Sequence, residues 1–235
     1  APIRVAILNF CFPKCDHIFT VSESIAKAYE RKYCKKISVL RNIPTYRDFK
    51  VKKIDPERIN IVHHGIGYKT RGIKDMIDIA NSLDERFHLD LYLVATDRYI
   101  DEINLYLGNS KKVSIRQAVS YEKIIGMLNN YDIGLFFVKP ITFNLLNCLP
   151  NKLFEFIQAR LAVAIGPSPE MAKIVKRYNC GFISNSFDKE SMINLLNNLD
   201  SNKIINAKIK SDLAANQLCF ENESKNLIKI LNKND

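Results

Sequence analysis

From residue 59 onward the chain alternates short apolar runs with segments of helical periodicity, and that alternation restricts the fold more than any other feature. The apolar runs cover residues 59–63, 89–96, 113–117, 132–138, 162–166 and 181–184. Between them Ile73, Met76, Ile77 and Ala80 recur at helical spacing, as do Ile124, Ile125 and Leu128. Strand, helix, strand in repetition requires crossover connections, hence parallel strands covered by helices on both faces. The unbroken apolar stretch of residues 133–138 fits a strand buried on both sides. The expected fold is therefore α/β, a Rossmann-like parallel sheet with helices on both faces, plus a partial second α/β element at the N-terminus.

The pattern divides the chain in four. Residues 1–45 are expected to hold strands at 3–8, 17–21 and 37–40, with a helix opening at Ser22 or Ser24 and turning Ile25 and Ala28 inward. Residues 46–58 carry a charged run and Pro56, and are expected to be a linker. Residues 59–202 form the repeating α/β domain. Residues 203–235 are helical in pattern, with Leu213, Leu218, Leu227, Ile228 and Leu231 as apolar positions. The first residue is Ala1 where a native start carries Met, so the chain is expected to be either processed or, in the favoured reading, a piece of a longer protein.

Composition narrows the function classes. No apolar run approaches the ~20 residues needed to span a bilayer, and nothing at the start resembles a signal peptide. Six cysteines include no C-x-x-C pair, and Cys11, Cys15 and His17 lack a matching cluster elsewhere, so free thiols in a reducing cytoplasm are expected rather than a metal site. The formal charge of +10 suits an anionic partner, a nucleotide or an acidic membrane surface. There is no arginine-rich stripe interleaved with aromatics, so nucleic acid is not expected.

Chemistry is concentrated at two strand ends. The segment Leu149-Pro150-Asn151-Lys152-Leu153-Phe154-Glu155-Phe156 reads as a helix opening between two buried strands. A helix that starts beyond the carboxyl end of a parallel strand points free N–H groups and its positive dipole end into the ligand crevice, which suits phosphate. Lys152 adds a full charge, and Glu155 is acceptor-only when ionised, suited to hydroxyls. Phosphates beside a diol describe a nucleotide.

The second stretch is His63-His64-Gly65-Ile66-Gly67-Tyr68-Lys69-Thr70-Arg71-Gly72, directly after the first strand of the repeat. Glycines let backbone approach an anion, and Lys69 and Arg71 supply charge; a glycine turn with solvated basic residues is the plainer reading. Thr70 stands where a dinucleotide fingerprint needs its third glycine, so a nicotinamide enzyme is not favoured. His63 and His64 have no Ser or Cys nucleophile motif to serve, and strand-end histidines are more often packed or bonded to backbone. Arg116, at the end of the third strand, has two readings, approach to a nucleotide base or a structural or solvated role.

Together these stretches resemble the retaining glycosyltransferases of the GT-B fold, family 4 type. The resemblance starts with the Val-Ser-Glu at 21–23 after Asp16 and the Arg41-Asn42-Ile43-Pro44 turn. It continues with the loop from His64 to Gly72, Asp132-Ile133-Gly134-Leu135, residues 149–155, Pro169-Glu170 and Cys180-Gly181. It implies donor binding by Gly65, Lys69, Arg71, Gly72, Arg116, Asn151, Lys152, Leu153 and Glu155. Arg71 and Lys152 would meet the diphosphate from opposite sides and Glu155 the ribose. The family's first motif glutamate falls eight positions before Glu155, where this chain has Asn147. The implied activity is transfer of a hexosyl group, with retention, from a nucleotide-sugar to a saccharide or lipid-linked acceptor of bacterial surface polysaccharide or capsule.

The same resemblance implies no cofactor and no metal, with the nucleotide-sugar as co-substrate. It implies a cytoplasmic location with peripheral contact at an anionic inner membrane face, and no transfer by this stretch alone. A GT-B nucleotide-sugar epimerase and a non-catalytic nucleotide-sugar-binding module are the alternatives.

Overall fold

The structure is a computed structural model and describes residues 2–232. Its centre is a six-stranded, wholly parallel sheet in the order β5-β4-β3-β6-β7-β8. The strands are β3 (Ile59–Ile66), β4 (Phe87–Val94), β5 (Val113–Gln117), β6 (Ile133–Phe136), β7 (Ala162–Ile165) and β8 (Gly181–Ile183). Counted from β3, this is the doubly wound order with its reversal between β3 and β6. All six expected strands are present.

One face of the sheet is covered by α3 (Ile73–Ser82), α4 (Asp97–Leu107) and α9 (Lys189–Asn197). Ile73, Met76, Ile77 and Ala80 are all buried there, as their spacing requires. The other face packs against α5 (Tyr121–Leu128), α7 (Asn151–Gln158), α8 (Pro169–Tyr178) and α10 (Ser201–Gln217). Gly134 is fixed by this packing, because a Cβ there would meet the Phe156 ring. At the amino end of β6, Asp132 accepts from the Asn60 N–H at 3.0 Å and from buried Lys208 at 2.9 Å, so a charged pair sits inside the core.

The N-terminal portion differs from expectation at one element. Residues 3–8 lie in a helix, α1 (Pro2–Cys11), not in a strand. A continuous apolar run does not distinguish helix from strand, and a strand needs a neighbour for its N–H and C=O groups. Here β1 (Phe19–Thr20) and β2 (Ser38–Val39) pair only with each other, and a helix satisfies its own backbone. Between them α2 (Glu23–Tyr33) starts after Ser22 and buries Ile25 and Ala26, with Ala28 half-buried.

This portion rests on the main domain. Ser22 Oγ donates to the Asn147 carbonyl at 2.8 Å and Ser24 Oγ to Glu170 Oε1 at 2.6 Å. Residues 46–58 contain no helix or strand, yet Arg47 is pinned. Its N–H donates to Gln158 at 3.1 Å and its carbonyl accepts from Arg160 at 2.6 Å.

The C-terminal helices α10 and α11 (Phe220–Leu231) are present, but most of their expected apolar positions are not the buried ones. Leu213, Ile228 and Leu231 are exposed and Leu218 is buried. The buried face of α10 is Ile204, Ala207, Lys208, Ser211, Ala214 and Ala215. α10 lies close against α7 and β7, and close approach selects small side chains over leucine. No described helix is long and apolar enough to cross a membrane.

Candidate functional site

Connections leave β3 and β6 in opposite directions, so a crevice opens at their carboxyl ends, and both sequence motifs face it. Gly65, at φ 117° and next to last in β3, has no side chain; a Cβ there would lie 2.5 Å from Lys152 Nζ. The missing side chain is what allows the lysine to lie along the strand end. Lys69–Arg71 then make one 3₁₀ turn, and Gly72, left-handed at φ 69°, opens α3. A Cβ on Gly72 would strike the Phe137 carbonyl oxygen, so the loop holding Arg71 is pressed against the chain leaving β6.

On the β6 side a short helix, α6 (Phe143–Asn147), intervenes before Pro150 caps α7. The N–H groups of Asn151 and Lys152 face outward from the first turn of α7 with no intrahelical acceptor. Leu153 is different: its N–H donates to Pro150 O at 3.1 Å and its side chain is fully buried.

Charge converges here. Burial lowers the Lys152 pKa, Glu155 raises it and Arg71 lowers it again. Burial pushes the Cys148 thiol up against the opposite pull of Arg71 and Lys152. Arg71, Cys148, Lys152 and Glu155 therefore form one electrostatic cluster. Glu155 is 4% exposed, and His64 Nε2 lies 3.1 Å from its Oε2. The two atoms do not form a hydrogen bond, and the buried His64 Nε2 has no hydrogen-bond partner among the described residues. His63 Nδ1–H donates to the Leu135 carbonyl at 2.9 Å, as a strand-end histidine is expected to do. Burial first, and the Lys152 charge second, push its pKa down to about 3, so the ring is neutral at ordinary pH.

Two other expected site residues lie apart from this cluster. Lys69 Nζ is 3.8 Å from Glu102, beside a cavity of about 400 Å3 that Tyr68, Arg98 and Tyr99 also line. Arg116 Nε is 3.2 Å from Asp90 Oδ2, which also accepts from Tyr131 Oη at 2.7 Å. Of its two readings, the ion pair supports the structural one. A larger cavity, about 690 Å3, lies elsewhere, between β8 and α9 (Ser184, Asn194, Lys203), and Arg71, Lys152 and Glu155 do not line it. Among the described residues no group of three or more His, Cys, Asp or Glu side chains is placed to hold a metal ion.

Sequence reasoning missed the contact of His64 with Glu155 and missed α6. For α6 a signal exists: Thr142 caps it, accepting from the Leu145 N–H at 3.2 Å. For His64 there is none, since a histidine in an apolar strand carries no mark of its partner.

The architecture is that of a Rossmann-like α/β domain of the GT-B fold. No protein-family profile matches the sequence, and no curated protein matches it. Solved structures do. Anabaena HepE, in complex with UDP and glucose, superposes with a TM-score of 0.76 at 14% identity, over 99% of this chain and 66% of that one. WaaG, a glycosyltransferase involved in lipopolysaccharide biosynthesis, gives 0.64 at 15% identity, over 87% of this chain and 61% of its own. TarM gives 0.69 at 12% identity, over 99% of this chain and 46% of its own. The chain thus spans about half to two thirds of the length of these proteins.

Proposed function

We propose that this chain binds the nucleotide diphosphate of a nucleotide-sugar at the β3–β6 crevice and serves glycosyl transfer from it. The observation that carries the reading is the convergence of Arg71, Lys152 and the first turn of α7 beside the buried Glu155 carboxylate. Two cations and two free N–H groups suit a diphosphate, and a carboxylate one turn further along suits a ribose diol. The likeness to HepE, crystallised with UDP and glucose, supports the donor class.

In the reaction, negative charge grows on the departing diphosphate. Arg71, Lys152 and the Asn151 and Lys152 N–H groups are fixed before the step and stabilise that charge as it develops. Neutral His63 adds no competing positive centre. Gly65 and Gly72 keep the β3 end and the Arg71 loop close, and Asn147, at the family's first motif-glutamate position, has its amide Nδ2 on the Phe143 carbonyl at 2.9 Å. The finer reading is retention at the anomeric carbon of a hexosyl donor, with a saccharide or lipid-linked acceptor for surface polysaccharide at a cytoplasmic membrane face. Lys69, beside Glu102, and Arg116, beside Asp90, would act only at its margin.

Calorimetry with UDP, UDP-glucose and uridine tests the donor reading. UDP is expected to bind at least tenfold more tightly than uridine, and Arg71→Ala or Lys152→Ala is expected to remove that difference. Equal affinity for UDP and uridine, or an unchanged preference in both variants, would sink it.

A further inference from the structure

Along α6, α2 lays a stripe of Ser24, Lys27, Ala28 and Arg31 that, with Phe143 and Asn147, lines an open cavity of about 230 Å3, with Lys27 and Arg31 both solvent-exposed. The spacing of the four α2 residues puts them on one face of the helix. Among the described residues neither Lys27 nor Arg31 forms an ion pair or a side-chain hydrogen bond, although both face the same small space. The carboxylates nearby are otherwise engaged. Glu30 accepts from the Ile37 N–H at 3.0 Å, Glu170 is held by Ser24 and by Lys173 at 2.6 Å, and Glu23 lines a different cavity. Phe143 is 56% exposed at the mouth, an apolar ring beside two unneutralised cations. Asn147 is buried beneath, its Nδ2 donating to Phe143 O at 2.9 Å.

We propose that this groove binds a phosphorylated saccharide, with Lys27 and Arg31 on the phosphate and the Phe143 ring against a sugar face. Two cations one helical turn apart match a dianion better than a monoanionic carboxylate, and an exposed aromatic ring offers a sugar its flat apolar side. The groove and the charge cluster share the α6–α7 junction, because Asn147 lines one and the adjacent Cys148 belongs to the other. A ligand in the groove thus stands beside the donor. This deepens the proposed transfer and rests on it for the role of acceptor, while binding itself is measurable without it.

Calorimetry on the chain with glucose 6-phosphate, glucuronate and glucose, and separately with UDP, is the test. Glucose 6-phosphate is expected to bind at least tenfold more tightly than either other sugar, and Lys27→Gln with Arg31→Gln is expected to weaken it at least tenfold while leaving UDP affinity unchanged. Arg71→Gln with Lys152→Gln is expected to do the opposite. No binding of glucose 6-phosphate, glucuronate bound as tightly, or loss of glucose 6-phosphate with the Arg71 and Lys152 pair would each overturn the groove. None of those results touches the donor reading, which is decided by the preference for UDP over uridine and its loss in the Arg71 and Lys152 variants.

Discussion

His64 Nε2 and Glu155 Oε2 lie 3.1 Å apart, both residues nearly excluded from solvent, at the junction of β3 and α7. The imidazole sets the edge of the pocket in which the carboxylate waits, and the T-shaped packing of His64 on Phe156 fixes the ring. Glu155→Gln keeps the shape and removes the charge. Hydrogen bonds to charged groups contribute about 1.5–3 kcal/mol. Calorimetry is expected to return at least tenfold weaker UDP binding with an unchanged melting curve; unaltered affinity would take Glu155 out of the site.

Arg71 and Lys152 approach from two different strand ends, so each alanine variant should discriminate against the diphosphate. Uridine affinity is expected to stay within about twofold while UDP weakens tenfold or more, since each lost charge-assisted bond is worth about 1.5–3 kcal/mol. Parallel loss of both ligands would mean a misfolded or wrongly assigned pocket.

His63 makes stability depend on acidity. Its folded pKa, about 3, lies below the ordinary 6.5, so the unfolded chain takes up a proton first. The stability is fully present above about pH 6.5 and is lost progressively as pH falls toward 3, by up to a few kcal/mol. Urea denaturation between those limits should steepen with acidity in the parent chain and flatten in His63→Gln. Identical slopes would contradict a buried neutral ring.

Lys208 is 1% exposed and donates to Asp132 at 2.9 Å and to the Tyr131 carbonyl at 3.0 Å. Lys208→Ala leaves Asp132 charged and buried, at a cost of about 3–5 kcal/mol. Lys208→Met with Asp132→Asn removes both charges and is expected to cost less than the single change, as read from denaturation midpoints. A double variant weaker than the single would indicate that the pair contributes net stability.

The sheet was legible because buried parallel strands write themselves as apolar runs, and α3 because its stripe repeats at helical spacing. Residues 3–8 were not legible: an apolar run without a partner strand becomes a helix, and the sequence of the run is silent about partners. Leu213 misled for a different reason, since the tight packing of α10 on α7 chose Ala214, Ala215 and Ser211 instead. At the site, the glycines and basic residues announced an anion, whereas the His64–Glu155 approach joins positions 91 apart and leaves no local trace.

Arg41 is clasped by Glu223, which takes both its N–H at 2.7 Å and its guanidinium, and the Phe220 N–H donates to Pro44 at 2.9 Å. The two partners of that clasp are 182 residues apart. On a ribosome adding roughly 5–20 residues per second, residues 41–44 wait roughly 10–35 s before the helix that secures them is made. Through that interval β1, α2 and β2 can hold to the sheet domain by Ser22 on Asn147 and Ser24 on Glu170, and the order of synthesis makes the Arg41 clasp the last of these fastenings to close.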